Sequence, residues 1–178
     1  NTARGDPVEL MECANAFQPE LAIVGCSEII GSNWATDDQL ALAYNNRANA
    51  RDDQGKPEDA IFDYNRALAI DPHYVNARYN RATLYLRLER LALAIADFDL
   101  VLQLEPKRAD AANNRSLAYL KIGNLDEAIA GFSAAIQLDP SNAYAYNNRG
   151  VAWRRKNERD NAIADFSIAI DLLPNYAA

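Results

Sequence analysis

The chain has 178 residues, 49% of them hydrophobic and 24% charged, and its formal net charge at pH 7 is −7. This acidic balance argues against general nucleic-acid binding, because neutralising phosphates requires a basic surface. No apolar run reaches the length of a membrane-spanning helix, so no transmembrane segment is predicted.

Four segments of 34 residues follow one another from Ala41 to Tyr176, each with a proline near its end. The four prolines are Pro72, Pro106, Pro140 and Pro174. A helix–turn–helix repeat of this length cannot bury its apolar face alone, so neighbouring repeats must stack into a superhelix. The period therefore predicts four units: residues 41–74, 75–108, 109–142 and 143–176.

Small and aromatic residues recur at fixed places in these units. The second unit carries Ala82, Tyr85, Ala94 and Phe98 ahead of its proline, and the later units repeat the pattern. Small residues suit the point where two helices approach closely, and aromatic side chains fill the space beside it. Four first helices also share a related motif, Asn-Asn-Arg or Tyr-Asn-Arg followed by a small residue, at 45–48, 79–82, 113–116 and 147–150. These features resemble the tetratricopeptide repeat family, in particular its exported bacterial members.

The resemblance implies an all-α fold, a right-handed superhelix of stacked antiparallel helix pairs. It also implies a non-catalytic scaffold that binds an extended peptide or partner segment in a concave groove lined by the first helix of each unit. The first unit departs from the family pattern at Arg51, where an aromatic residue is missing, so its core is expected to be looser there.

Residues 1–40 are predicted to form a degenerate helix pair and a linker. The first helix is expected from Pro7 to about Ala16, and the second from Pro19 to Ile30, in register with the second helix of the following unit. Thr36 and Gln39 fit a capping box, which predicts that the next helix begins near Asp37.

The repeat register gives the two cysteines a structural meaning. Cys13 falls at the register of Tyr85, and Cys26 at that of Phe98, two positions that touch across a helix pair. A disulfide that staples this short unit is predicted, and the alternative is two buried thiols. A bridge favours an oxidising compartment, which for an exported bacterial protein means the periplasm or the outside of the cell. Because the chain begins at Asn1 without a methionine, a processed protein is expected, with no signal peptide in this sequence.

Polar and aromatic residues of the first helices are the candidate peptide-binding site. They are Asn46, Asn49, Tyr79, Asn80, Thr83, Arg87, Asn113, Asn114, Lys121, Tyr144, Asn148, Arg154 and Arg155. Four of these asparagines recur at the repeat spacing, and an amide can both donate to and accept from an extended peptide backbone. The alternative is that these amides bond within or between repeats.

Charge is distributed unevenly over the same helices. Asp52 and Asp53 end the first helix of the first unit, whereas later units have arginine or lysine at the equivalent turns. This predicts a polarity that orients a charged ligand. The alternative is that the cations only complement helix C-termini.

Four recurrent arginines have a structural interpretation. Arg47, Arg81 and Arg149 each have an aspartate sixteen residues later, while Arg115 meets Gly131. This spacing predicts partly buried ion pairs across a helix pair.

Catalysis, metal binding and cofactor binding are not predicted. The single histidine, His73, falls in a loop far from the cysteines, so neither a nucleophile–base pair nor a metal ligand set is recognisable. The alternative function is a self-assembling module: Ile163, Ile170, Leu172 and Leu173 of the last helix are expected to face a neighbouring copy.

Overall fold

The computed structural model of the chain describes residues 11–15 and 17–173, and every regular element in them is helical. Residues 11–13 are helical, while residues 7–10 and Ala16 of the predicted first helix lie outside the described part. The longer helices of the described residues are α1 Pro19–Gly31, α2 Asp37–Asp53, α3 Pro57–Ile70, α4 Val75–Arg87, α5 Leu91–Leu104, α6 Ala109–Ile122, α7 Leu125–Leu138, α8 Ala143–Arg155 and α9 Arg159–Leu172.

Local signals in the sequence set several of these boundaries. Thr36 caps α2 as predicted: its side chain accepts from the backbone N–H of Gln39, and the Gln39 side chain accepts from the backbone N–H of Thr36. Pro57 occupies the first turn of α3, where its missing N–H would have had no helical partner. Gly123 ends α6 with φ +97°, a left-handed conformation that glycine adopts without a side-chain clash.

The helices group into two compact units, one up to Leu84 and the other from Tyr85. We call these two the first unit and the second unit, as distinct from the 34-residue repeats. In the first unit, α2 packs against both α1 and α3. In the second unit, α6 packs against α5 and α7, and α8 packs against α7 and α9. The first helices α6 and α8 also contact each other directly. Each unit is therefore built from packed helix pairs, and α2, α6 and α8 each have a neighbouring helix on two sides.

The core of the second unit confirms the expected pairing of small and aromatic residues. Phe132 is fully buried beside Leu120, Ala128 and Ala152. Burying such a side chain contributes on the order of 2–3 kcal/mol. Gly150 of α8 lies so close to α9 that an added Cβ would approach the ring of Phe166 to 2.7 Å. The recurrent small residue is therefore required by the close approach of the two helices.

The N-terminal residues are tied to the first unit by a disulfide. The sulfur atoms of Cys13 and Cys26 are 2.10 Å apart, so the predicted bridge is present. Both cysteines are buried in a small cluster with Ile29 and Ala43. The bridge connects the short helical segment at 11–13 to α1 and completes a core that few large side chains fill.

Within the described residues, no helix combines the length and the apolar character that crossing a lipid bilayer requires.

Candidate functional site

Asparagine side chains of the first unit bond to one another across neighbouring repeats. The Nδ2 of Asn80 on α4 donates to Asn45 Oδ1 at 3.2 Å and to Asn49 Oδ1 at 3.1 Å. Asn45 Nδ2 donates to Asn46 Oδ1 at 3.1 Å, and the hydroxyl of Tyr64 donates to Asn49 Oδ1 at 2.5 Å. We call Asn45, Asn46, Asn49 and Asn80 the first-unit amide cluster. In this unit, the amide group of Asn80 is therefore used in hydrogen bonds between repeats, which was the alternative interpretation of the asparagines.

The equivalent amides of the second unit are bonded differently. Asn113 Nδ2 donates to Asn114 Oδ1 at 3.2 Å, as in the first unit. However, Asn113 Oδ1 is buried and accepts no hydrogen bond from any described residue. The half-buried side chain of Asn148 on α8 likewise makes no hydrogen bond with the part of the chain that the structure describes. We call Asn113 and Asn148 the second-unit amide pair.

One residue of α6 accounts for part of this difference. Leu117 stands at the repeat position that Asn49 occupies in the first unit, so one of the two acceptors that hold Asn80 has no counterpart near Asn148. A buried acceptor without a donor costs roughly 1–3 kcal/mol. Asn113 is only 9% exposed and its Oδ1 is itself buried, so an N–H donor from a ligand reaches this acceptor only where the neighbouring side chains move aside.

The other candidate groove residues lie on the first helices with varying exposure. Tyr144 is 53% exposed. Thr83 is exposed, and its hydroxyl donates to the carbonyl oxygen of Tyr79 at 2.9 Å. Tyr144 and Thr83 therefore offer an uncharged contact surface on the first helices.

The candidate cations of the second unit already contact the protein. Lys121 Nζ pairs with Glu89 Oε1 at 2.5 Å. Arg155 Nη1 donates to the carbonyl oxygen of Leu120 at 2.9 Å, near the C-terminus of α6. The Arg155 contact is the helix-complementing role that was the alternative to ligand steering. Arg87 and Arg154 are exposed, and the predicted charge polarity stays a prediction.

Arg47 and Arg149 form the predicted ion pairs with the aspartates sixteen residues later. Arg47 donates from Nε and Nη2 to both carboxylate oxygens of Asp63, each at 2.8 Å. Arg149 likewise donates from Nε and Nη2 to both carboxylate oxygens of Asp165, at 2.8 and 2.7 Å. This hydrogen bonding raises the pKa of the Arg149 guanidinium above its ordinary value. The pairs fix the geometry of α2 on α3 and of α8 on α9.

The same arginines also reach the preceding helix pair, which the sequence interpretation missed. Arg149 Nη1 donates to Ser133 Oγ at 2.9 Å, and Arg115 Nη1 pairs with Asp99 at 2.6 Å. The sequence contained a signal for these contacts, because a polar residue stands sixteen positions before the recurrent arginine in each of the last three repeats. One guanidinium thus connects two successive second helices, which stabilises the stacking.

Arg51 replaces the missing aromatic residue with a second cation. Its Nη1 lies 2.8 Å from Asp63 Oδ2, and the side chain of Asp63 is fully buried. The sequence predicted only a looser core at this position. The structure adds a charge contact that sequence spacing alone did not reveal.

No catalytic or metal centre is recognisable in the described residues. They contain no group of three or more histidine, cysteine, aspartate or glutamate side chains arranged to hold a metal ion. His73 is exposed, as expected for a loop residue.

Sequence comparisons identify the repeat. Residues 41–74 and 63–96 match family descriptions that read "Tetratricopeptide repeat", and residues 117–156 match one that reads "TPR repeat". Together these matches cover more than half of the chain. No curated protein sequence matches the chain significantly.

Several solved structures share the fold. The structure "MamA 41-end from Desulfovibrio magneticus RS-1" superposes with a TM-score of 0.86 at 22% identity, covering 99% of this chain and 100% of that one. "MamA RS-1 ArsTM double mutant" gives a TM-score of 0.84 at 22% identity, with 96% of both chains covered. "Crystal structure of MamA" gives 0.83 at 21% identity, with 98% of both chains covered. At these identities the similarity establishes the fold alone.

Proposed function

The chain belongs to the tetratricopeptide repeat family, and we propose that it is a non-catalytic interaction module that holds an extended segment of a partner protein on its first helices. The observation that carries this proposal is the second-unit amide pair. Asn113 offers a buried acceptor, and Asn148 offers an amide that no described residue engages.

An extended peptide backbone is the ligand that suits this chemistry best. Each residue of such a segment presents one N–H and one C=O, and an asparagine amide can bond to both. Asn113 Oδ1 accepts from a backbone N–H, while Asn148 supplies a donor and an acceptor one repeat further on. Backbone recognition of this kind accepts many sequences, and neighbouring side chains such as Tyr144 then select among them.

The first-unit amide cluster has a structural role in this proposal. Asn80 already donates to Asn45 and Asn49, so its replacement would remove two hydrogen bonds between repeats and leave Asn45 Oδ1 without this donor, while Asn49 Oδ1 keeps the hydroxyl of Tyr64. Asn80 is therefore expected to matter for stability, and Asn148 for ligand binding.

The experiment starts from a peptide selected from a random library against the intact chain. We expect Asn148→Ala to weaken its binding at least about tenfold, equivalent to about 1.4 kcal/mol, with an unchanged thermal unfolding midpoint. Fluorescence anisotropy measures the affinity. Gln137→Ala is the matched control, because it removes an exposed amide from a second helix of the same unit.

Two results would contradict the proposal. Equal affinities of Asn148→Ala and wild type would exclude the amide pair as the binding site. An Asn80→Ala variant that keeps the wild-type unfolding midpoint would contradict the division of roles between the two units.

Self-assembly is the second candidate function. Ile163 and Ile170 of α9 are 63% and 50% exposed, and Leu172 and Leu173 are exposed as well. These exposed aliphatic side chains support association with a second copy, since a contiguous exposed apolar patch is typical of an interaction surface. Sedimentation velocity over a concentration series distinguishes the candidates: a monomer at every concentration removes self-assembly.

The disulfide supports a location in an oxidising compartment, because such bonds persist where thiols are not kept reduced. We extend the proposal to the bacterial periplasm or the cell exterior. Thiol labelling of the endogenous protein tests this. In the proposed location, neither cysteine reacts with the label until the protein has been reduced, and labelling before reduction would contradict it.

A further inference from the structure

A cavity of 130 Å³ opens in the first unit where the disulfide-linked segment meets α2. Its walls combine apolar surface with the polar ends of four side chains, those of Asn15, Asn46, Asn49 and Asp53. The residues that matter are Cys13, Pro19, Ala22, Asn46, Asn49 and Asp53. Cavities of about 150 Å³ hold a benzene-sized molecule, so this one has room for a single side chain rather than a peptide segment.

Two of the three amides in the wall, those of Asn46 and Asn49, have oxygen atoms that already accept hydrogen bonds. Asn46 Oδ1 accepts from Asn45 Nδ2, and Asn49 Oδ1 accepts from Tyr64 and Asn80. The oxygen atoms are therefore engaged, and the NH₂ groups are the remaining polar ends. No described residue accepts a hydrogen bond from these NH₂ groups, so they are available to donate to a ligand.

Asp53 supplies a carboxylate at one end of the cavity. It is exposed and forms no ion pair with any residue in the described ranges. The neighbouring Gln54 donates to Glu20 Oε1 at 3.2 Å and accepts from Lys56 Nζ at 2.8 Å. Glu20 therefore adds a second acidic group beside this end, while Lys56 is directed to Gln54.

The order of these groups along α2 is specific. Asn46, Asn49 and Asp53 follow one face of the helix over about 10 Å, with Ala50 of the same wall between them. The wall thus presents donors at one end, apolar surface in the middle and an anion at the other end. A lysine residue has the complementary order: a backbone carbonyl, a methylene stem and an ammonium group.

We propose that this cavity binds a lysine side chain of the partner segment. The inference rests on the proposed function and identifies one residue that the partner must carry. The ammonium group pairs with Asp53, the stem packs on Ala22 and the disulfide, and the lysine carbonyl accepts from the Asn46 and Asn49 amides.

The test is a titration of the ¹⁵N-labelled chain with N-acetyl-lysine methylamide. We expect saturable shifts of the side-chain NH₂ signals of Asn46 and Asn49. Asp53→Asn should weaken this binding at least tenfold, whereas Glu28→Gln, which removes an exposed charge from α1 outside the cavity, should leave it unchanged. The uncharged analogue N-acetyl-norleucine methylamide should not bind.

Three outcomes would overturn the proposal: no shift at the two amides, equal binding of the norleucine analogue, or full binding by Asp53→Asn with an otherwise unchanged spectrum. Tighter binding of alaninamide would assign the cavity to a free amino terminus instead of lysine. The proposed function fails separately: selected peptides that are insensitive to Asn148→Ala contradict it, whereas sensitivity to Asn148→Ala without sensitivity to Asp53→Asn contradicts only the lysine cavity.

Discussion

Asp63 and Gly131 occupy the same repeat position and show how one residue changes a whole contact. Asp63 accepts from Arg47 and Arg51. Gly131 offers no carboxylate, so Arg115 has its contact to Asp99 in the preceding second helix while its Nε is buried without a hydrogen-bond partner. The glycine is required here because a Cβ would lie 2.1 Å from Ser116 Oγ. Serine at 116 and glycine at 131 therefore form a matched pair.

We predict that Gly131→Asp alone destabilises the chain by about 1–3 kcal/mol through overpacking. The double variant Ser116→Ala/Gly131→Asp should recover most of that loss, because alanine leaves room for a carboxylate that accepts from Arg115 Nε. Urea unfolding of the wild type, both single variants and the double variant gives the coupling free energy. Additive effects of the two substitutions would contradict the matched-pair interpretation.

Residue spacing predicted some of these contacts and not others. The sixteen-residue spacing identified Arg47–Asp63 and Arg149–Asp165, since the register of a helix pair is set by the repeat. It did not reveal whether an asparagine faces a neighbour or a ligand. That outcome depends on a single neighbouring residue, Asn49 with an acceptor in one unit and Leu117 without one in the other, and on side-chain rotamers that sequence spacing does not determine.

Helices of this chain were predictable where a local signal marks their ends. The capping box at Thr36 predicted the start of α2, and the repeated prolines predicted the breaks between pairs. The short N-terminal segment has weaker signals and depends on a covalent bond instead. The Cys13–Cys26 disulfide, with a sequence separation of 13 residues, attaches its described residues to α1.

Reduction of this disulfide is predicted to loosen the first unit selectively. A closed loop of this size contributes about 3 kcal/mol by the chain-entropy account, so amide exchange in α1 should accelerate up to about a hundredfold. Hydrogen exchange with and without a phosphine reductant measures it, and α9 in the second unit is the internal control. A Cys13→Ala/Cys26→Ala variant should not respond to the reductant, and unchanged exchange of α1 in the wild type would contradict the prediction.

The molecule as a whole combines stacked helix pairs with two kinds of polar contact. In the first unit, amides and arginines bond to neighbouring repeats, and those contacts stabilise the array. In the second unit, the same repeat positions retain unengaged amide groups on α6 and α8. Repeat architecture alone serves unrelated functions, so it is this local difference between units that supports backbone recognition.

An ester scan of the selected peptide tests backbone recognition most directly. Replacing one amide by an ester removes a single N–H donor and keeps the side chain. We predict that one ester position weakens binding to the wild-type chain about tenfold, the effect of losing a hydrogen bond to the buried oxygen of Asn113. The same ester should have a smaller effect on Asn148→Ala, in which the peptide is no longer held in register. Equal affinity for every ester would contradict recognition of the backbone by the second-unit amide pair.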